Sequence, residues 1–310
     1  MTAVELPAGL PDAHGGNGNG RGGHDRDRDR DRDDRAAHRR ERITTVALLA
    51  GSTLALAAFG WPLVATAVPA DAQRAAPFVA FAVLPAVIAV VLAALDRQMH
   101  SAKAVALLGV LAAIGAGIRI AGAGVGGIEA VFVLLILAGR AFGARFGFLL
   151  GMLTIAVSSV LWGGIGPWTP FQMFACAWVA AGAGLLPAIR ARATTVAAVR
   201  RATALEIAML AGYGVVAAYA FGLVMNLWFW PFAVGMGTDV SYDGSAPIGE
   251  NLASFALYSL VTSTLTWDTV RAVTTVVGIV VIGPAVLASL RRAKLPSQHG
   301  SAERASARRR

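Results

Sequence analysis

Apolar residues form long runs along this chain, separated by short polar or glycine-rich stretches. A helix of about 20 apolar residues crosses the hydrocarbon core of a bilayer, so the pattern predicts eight transmembrane helices. They are expected at residues 43–68, 76–95, 102–121, 127–140, 146–162, 168–189, 203–232 and 268–290. The chain is therefore predicted to be an all-α polytopic membrane protein.

Two stretches fit this pattern less well. Only ten uncharged residues separate Glu129 from Arg140, which is short for a span unless both ionic groups lie at the interfaces or the helix is bent. We keep this segment as a span, because without it the basic connections that follow would fall on the opposite side of the membrane. Residues 252–267 are rich in Ser and Thr and predict an interfacial helix or lid; the alternative is the beginning of a longer last helix.

Basic residues are concentrated in every second connection between the predicted spans. Clusters on one side contain Arg39, Arg40, Arg42, Arg97, Lys103, Arg140, Arg145, Arg190, Arg192, Arg200, Arg201, Arg291, Arg292 and Lys294. The opposite connections carry few basic residues and include Asp239, Asp243 and Glu250. Since cytoplasmic loops are enriched in Lys and Arg, we expect a multi-pass protein of the plasma membrane with both termini in the cytoplasm. The turn at residues 163–170 would then face outside.

Composition agrees with a membrane protein and defines the tails. The chain is 56% hydrophobic and 15% charged, with a mean hydropathy of +0.62. Residues 1–42 contain nine basic and nine acidic side chains in a low-complexity alternation, which predicts a disordered cytoplasmic tail. This tail is followed by two helices at 43–100, a six-helix core at 101–292 and a basic cytoplasmic tail at 293–310. The net charge of +9 lies mostly in tails and loops, which argues against a nucleic-acid surface.

Catalytic and metal-binding motifs are absent from the sequence. Neither of the two lysines lies in a phosphate-binding G-x-x-x-x-G-K-[ST] loop, and the five histidines lie in the tails or in one loop. The single Cys176 is expected to be a small buried side chain. Glu129, Glu206 and Asp268 fall near predicted helix ends, so coupling to an ion gradient is possible but has no support. We expect no enzyme activity and no metal or cofactor.

Aromatic and amide side chains collect at the predicted outer side. The candidate substrate-binding residues are Trp162, Trp168, Gln172, Asn226, Trp228, Trp230, Tyr242, Trp267 and Asp268. An aromatic belt is the alternative, but belts form at both interfaces and the predicted cytoplasmic ends carry no Trp or Tyr. Gln172 and Asn226 could contact a ligand or join two helices.

The third predicted span has a face of small residues. Gly109, Ala113, Gly117 and Ala121 repeat every four residues, with Ala112 and Ala116 beside them. Such a face allows close helix packing, either within the chain or against a separate membrane protein.

Two stretches of the sequence are similar to a known family: the segment from Ala130 to Pro187, which contains "GGIGPWTPFQM", and "MNLWFWPF" at 225–232. Both resemble substrate-binding S components of energy-coupling factor (ECF) vitamin transporters. The similarity is to the actinobacterial group assigned to cobalamin-like substrates and covers about residues 102–292. It implies a six-helix core that binds a vitamin at the outer face, topples in the membrane and docks with a coupling membrane protein and two ATP-binding subunits. The family's docking motif, A-x-x-x-A, matches Ala112 and Ala116, with Ala113 and Gly117 widening the face.

The alternatives are an ion-coupled small-molecule carrier or a polytopic membrane enzyme that uses the same outer pocket.

Overall fold

The computed structural model describes residues 21–65, 102–122, 128–189, 195–234 and 237–293, with isolated positions at 78, 82, 85, 88 and 89. The predicted span at 76–95 and the C-terminal tail therefore lie outside the described residues, apart from those isolated positions. All regular secondary structure in the described ranges is helical. The chain divides into two units, residues 1–46 and residues 47–310.

Nine α-helices and one π-helical segment are present in the described part of the chain. The α-helices are α1 (Arg21–Phe59), α2 (Trp61–Ala65), α3 (Ala102–Gly122), α4 (Val131–Phe142), α5 (Ala144–Trp162), α6 (Trp168–Leu185), α7 (Val196–Ala233), α8 (Ile248–Ser259) and α9 (Thr269–Ala293). Five helical stretches are long and apolar enough to cross a membrane: Arg42–Phe59, Ala102–Gly122, Ala144–Trp162, Val196–Ala233 and Ile248–Ala293. The protein is thus an all-α polytopic membrane protein.

Residues 21–42 were expected to be disordered, and the structure describes them as the beginning of helix α1, which continues into the first span. The Asp-Arg alternation places opposite charges three residues apart and like charges four residues apart, and these two spacings have opposing effects on a helix. Composition alone does not reveal this helix, because the same alternation removes the apolar residues that usually indicate a packed helix.

Of the two interpretations of residues 252–267, the structure agrees with the longer last helix. Helices α8 and α9 are joined without a break by a π-helical segment, Leu260–Asp268, so residues 248–293 form one long helix. The predicted beginning at residue 268 is instead the end of the π-helical segment. The Ser and Thr residues that suggested an interface help to form this wide turn: Thr262 donates to the Tyr258 carbonyl at 2.7 Å, and Thr269 donates to the Thr264 carbonyl at 2.7 Å.

Helix α4 occupies the centre of the bundle. It packs against α3, α5, α6, α7 and α9, and nine of its 12 residues are buried. At 1.5 Å per residue it is about 18 Å long, well short of the roughly 30 Å hydrocarbon core. A helix this short lies within the membrane because neighbouring helices surround it. The residues that flank it, Glu129 and Arg140, each form ion pairs inside the protein.

Helices α3 to α8 alternate in direction, and α9 continues the direction of α8, so the bundle has two ends. We call the first the Trp168 end, where α3, α5 and α7 finish and α4, α6 and α8 begin. We call the other the Arg140 end, where Arg140 and Arg291 both contact Glu206 at 2.7 and 2.6 Å. Arg140 also donates to the Leu186 and Pro187 carbonyls after α6, which satisfies acceptors at a helix end.

Close contacts through glycine determine the spacing of the central helices. A methyl group at Gly151 would lie about 2.6 Å from the backbone of Ala177, and one at Gly139 would overlap the Ala180 carbonyl. Helix α6 can therefore approach α4 and α5 only where these positions lack a side chain. Gly117 on α3, in contrast, has no atom within 4 Å of such a methyl group.

We predict opposite effects for two glycine-to-alanine changes. Gly151→Ala should lower stability by roughly 1–3 kcal/mol, because overpacking shifts α6. Gly117→Ala, the matched control, should leave stability unchanged or raise it by up to about 1 kcal/mol through helix propensity. Thermal unfolding in detergent measures both, and equal effects in the two variants would contradict the packing of α5 on α6.

Candidate functional site

A short non-helical turn joins α5 to α6 at the Trp168 end. Helix α5 ends at Gly163, whose φ of 70° lies in the left-handed region that glycine favours. Gly166 donates its N–H to the Thr169 hydroxyl at 3.0 Å, and a methyl group at Gly166 would overlap the Trp168 ring. The glycines therefore allow the ring to fold back over the turn. Trp168 itself is 42% exposed.

A polar cluster lies one turn along α6 from Trp168. Arg119 of α3 donates to the Gln172 side-chain oxygen at 2.8 Å and to the Ser158 hydroxyl of α5 at 3.1 Å. Ser158 in turn donates to the Ile155 carbonyl at 3.0 Å. Arg119 and Gln172 are partly buried, while Ser158 is fully buried. Three helices thus contribute to one partly accessible site, which we call the Arg119 cluster.

A second cluster contains charges of both signs and is more deeply buried. Arg271 of α9 contacts Asp268 at 2.5 Å and Glu129, before α4, at 2.7 Å. The side chains of Arg271 and Asp268 are 7% and 1% exposed, whereas that of Glu129 is 37% exposed. Two carboxylates therefore neutralise one guanidinium, and the more accessible carboxylate is Glu129. We call this group the Arg271 cluster.

Residues of α4, α7 and the π-helical segment contact the Arg271 cluster. The Asp268 carboxylate lies against Gly222 of α7, where any side chain would overlap it. Ser263 of the π-helical segment donates to Asp268 at 3.0 Å. The guanidinium of Arg271 lies 4.8 Å from the ring centre of Phe221 and 5.7 Å from that of Phe132, a cation–π arrangement. Ion pairs, a hydrogen bond and aromatic faces together offset the cost of burying these charges.

Several of the nine predicted substrate-binding residues are packing residues in the structure. Trp228 is buried and stacks on Phe171 with ring centres 4.4 Å apart, and its carbonyl accepts the Trp61 indole N–H at 3.0 Å. Trp162 and Trp267 are 59% and 50% exposed. These three tryptophans therefore do not meet in one pocket, although all belong to the same half of the bundle.

Trp230 belongs to a separate small core beside the Trp168 end. It is fully buried with Phe255 and Tyr258 and donates its indole N–H to the Val240 carbonyl at 2.7 Å. Tyr242 packs on it at 5.3 Å and donates its hydroxyl to the Pro62 carbonyl. Trp230 is therefore a packing residue whose indole N–H is already bonded within the protein.

Asn226 joins two helices in the structure. Its side-chain amide donates to the Ser259 hydroxyl of α8 at 3.0 Å, which favours the interhelical role over the ligand contact. In the following connection, burial and the nearby Asp243 charge raise the pKa of Tyr242. Hydrogen bonds from Ser245 lower the pKa of Asp243, so this connection is held in an ordered turn at neutral pH.

The small-residue face of α3 divides into two parts. Ala112 and Ala116 are 2% and 0% exposed, so the literal A-x-x-x-A motif faces the interior and is not available to a partner. The neighbouring stripe of Gly109, Ala113, Gly117 and Ala121 is exposed. The sequence indicated one smooth face, whereas in the structure its members divide between a buried row and an exposed row.

Sequence reasoning missed Arg119 and Arg271, the two cations that organise this end of the protein. The signal was present for Arg119, a lone charge inside a long apolar run, because such residues generally face the interior and mark functional sites. Arg271 follows Asp268 by three residues, a spacing at which the two charges can pair on a helix. Among the described residues, no group of three or more His, Cys, Asp and Glu side chains could hold a metal ion. An apolar groove of about 160 Å³ lies between α6 and α7, beside Trp178 and Tyr213.

We predict that Asp268→Asn destabilises the protein by roughly 3 kcal/mol, because breaking a buried ion pair leaves a charge incompletely compensated. Glu250→Gln, an exposed acid on the same long helix, should change the free energy of unfolding by less than about 0.5 kcal/mol. Equal unfolding curves for the two variants would contradict the buried position of Asp268.

In comparisons with known proteins, no family model, curated protein or solved structure matches the chain.

Proposed function

We propose that this protein is the substrate-capture subunit of an ECF-type importer, which binds a vitamin and passes it to a coupling membrane protein with two ATP-binding subunits. The observation that carries the proposal is the Arg119 cluster beneath Trp168. Arg119 and Gln172 are partly buried, and Trp168, one turn before Gln172, is 42% exposed; in this proposal the three side chains line a polar, accessible recess. Ligand sites typically combine apolar walls with a few placed polar groups.

The resemblance of residues 130–187 to S components supports the same function and suggests a cobalamin or related corrinoid as the substrate. In this proposal the Trp168 end faces outside, both termini are cytoplasmic and the membrane is the plasma membrane. The absence of a nucleotide-binding loop from the sequence agrees with a subunit that relies on separate ATPases.

The most direct test is to identify the small molecules that the purified full chain retains. Extraction and mass spectrometry should find a vitamin, with a corrinoid as the first expectation. A vitamin auxotroph supplied with a coupling module should then regain uptake when this chain is expressed. Retention of no small molecule, together with no rescue, would contradict the proposal.

Two tryptophans that flank the turn at 163–167 provide a matched pair for testing the recess. Trp168→Ala should weaken cyanocobalamin binding by about 1–3 kcal/mol, the range for losing an aromatic contact. That loss corresponds to roughly tenfold to more than a hundredfold in affinity. Trp162→Ala, at the exposed end of α5, should leave affinity unchanged. Titration of purified variants of normal helicity gives both values. Equal affinities of the Trp168→Ala and Trp162→Ala variants would indicate that the turn has only a structural role.

The exposed stripe of α3 is the proposed docking face for the coupling protein. A bulky residue at Ala113 should block uptake without changing the ligand affinity of the isolated subunit, because small residues permit close helix approach. Ala112→Leu should instead lower stability, since Ala112 is buried. Uptake that survives Ala113→Leu would place the partner on another face.

A cation-coupled carrier is the second candidate, and the Arg271 cluster favours it. The cluster contains two carboxylates and one guanidinium, so negative charge is in excess, and it adjoins the π-helical segment at 260–268. Buried acids and interrupted helices occur where transporters bind coupling ions. Uptake that persists without ATP and stops with a protonophore would favour this candidate over the ECF-type importer.

A further inference from the structure

Arg119 carries a positive charge that no described carboxylate neutralises by direct contact. Its two hydrogen-bond partners among the described residues, Gln172 and Ser158, are neutral acceptors. Glu129 and Asp268, the acids of the same end, are both paired with Arg271, and Glu206 is paired at the Arg140 end. The connection after α3, residues 123–127, contains only Ala, Gly and Val. The local sequence therefore supplies no counter-ion either.

The hydrogen-bonding capacity of Arg119 is also incompletely used. A guanidinium has five N–H donors in a planar fork, and two of the Arg119 groups meet protein acceptors among the described residues. The side chain of Arg119 is also partly exposed. By contrast, Arg271 at the same end is buried and binds two carboxylates and the Ala218 carbonyl.

The position of Arg119 lies below the interface. It is one turn before the end of α3 and bonds to the side chain at the fifth residue of α6. A charge inside a membrane protein is costly without a partner, and guanidinium binds carboxylates and phosphates through paired, charge-assisted hydrogen bonds. Gln172 and Ser158 hold two of its donors and thereby fix the orientation of the guanidinium.

We propose that the recess binds the anionic group, a carboxylate or phosphate, of the transported molecule, with Arg119 as its counter-ion and Trp168 against its apolar part. This inference rests on the proposed function and narrows its substrate class. Gln172 and Ser158 act as positioning residues that fix the guanidinium. The Arg271 cluster, which already contains its own counter-ions, remains structural in this assignment.

Benzoate and benzamide form a suitable probe pair, because they share a shape and differ in charge; inorganic phosphate is the second anion. The purified full chain should bind benzoate and phosphate at millimolar concentrations and bind benzamide at least tenfold more weakly at equal ionic strength. Arg119→Gln should weaken benzoate binding on the order of tenfold and remove the preference for the charged probe. Arg200→Gln, an exposed arginine at the beginning of α7, is the matched control and should bind as the unmodified protein does.

A second variant keeps the test decisive if Arg119→Gln folds poorly. Gln172→Glu places a carboxylate beside the guanidinium, so it should abolish benzoate binding while maintaining thermal stability. Equal binding of benzoate and benzamide by the unmodified chain, binding of neither anion, or unchanged benzoate binding by Gln172→Glu would overturn the inference. An uncharged vitamin that is retained by the unmodified chain and lost in Trp168→Ala would also overturn it while leaving the capture function intact.

Discussion

Helix α4 is too short to cross the membrane, and a charged residue flanks each of its ends. The helical rise from Glu129 to Arg140 is about 16 Å, which is roughly half of the hydrocarbon thickness. Both charges therefore require partners inside the protein, which Arg271 provides at one end and Glu206 at the other. Helices α7 and α9 carry these partners, and α3, α5 and α6 also pack against α4. Its apolar middle in turn supplies a large part of the core.

This constraint places polar layers below the membrane surfaces. At the Arg140 end the layer is tightly paired and also satisfies the carbonyls that follow α6. At the Trp168 end the Arg271 cluster is similarly paired, but the neighbouring Arg119 cluster leaves donors and charge available. The difference between paired and available charge is what separates structural ion pairs from a candidate binding site in this protein.

The sequence was sufficient for the helical class, for the order of the helices from 102 onward and for the turn at 163–167. Apolar length and glycine or proline positions carry that information locally. It was insufficient for side-chain environment: Trp168 and Trp228 were both expected to bind substrate, yet Trp168 is 42% exposed and Trp228 stacks on Phe171. Ala112 and Ala113 are adjacent, and only packing on α5 decides which is buried. The π-helical segment likewise depends on Asp268 reaching Gly222 across to α7.

The central claim, a recess that water and ligand can enter down to the Arg119 cluster, is tested most directly by thiol reactivity along α6. Gln172→Cys in a Cys176→Ser background should react with a small hydrophilic thiol reagent present on both sides of reconstituted membranes. The native Cys176, one turn deeper and 2% exposed, should remain unmodified in the otherwise unchanged chain. An unreactive thiol at position 172, or equal reaction at both positions, would contradict the account.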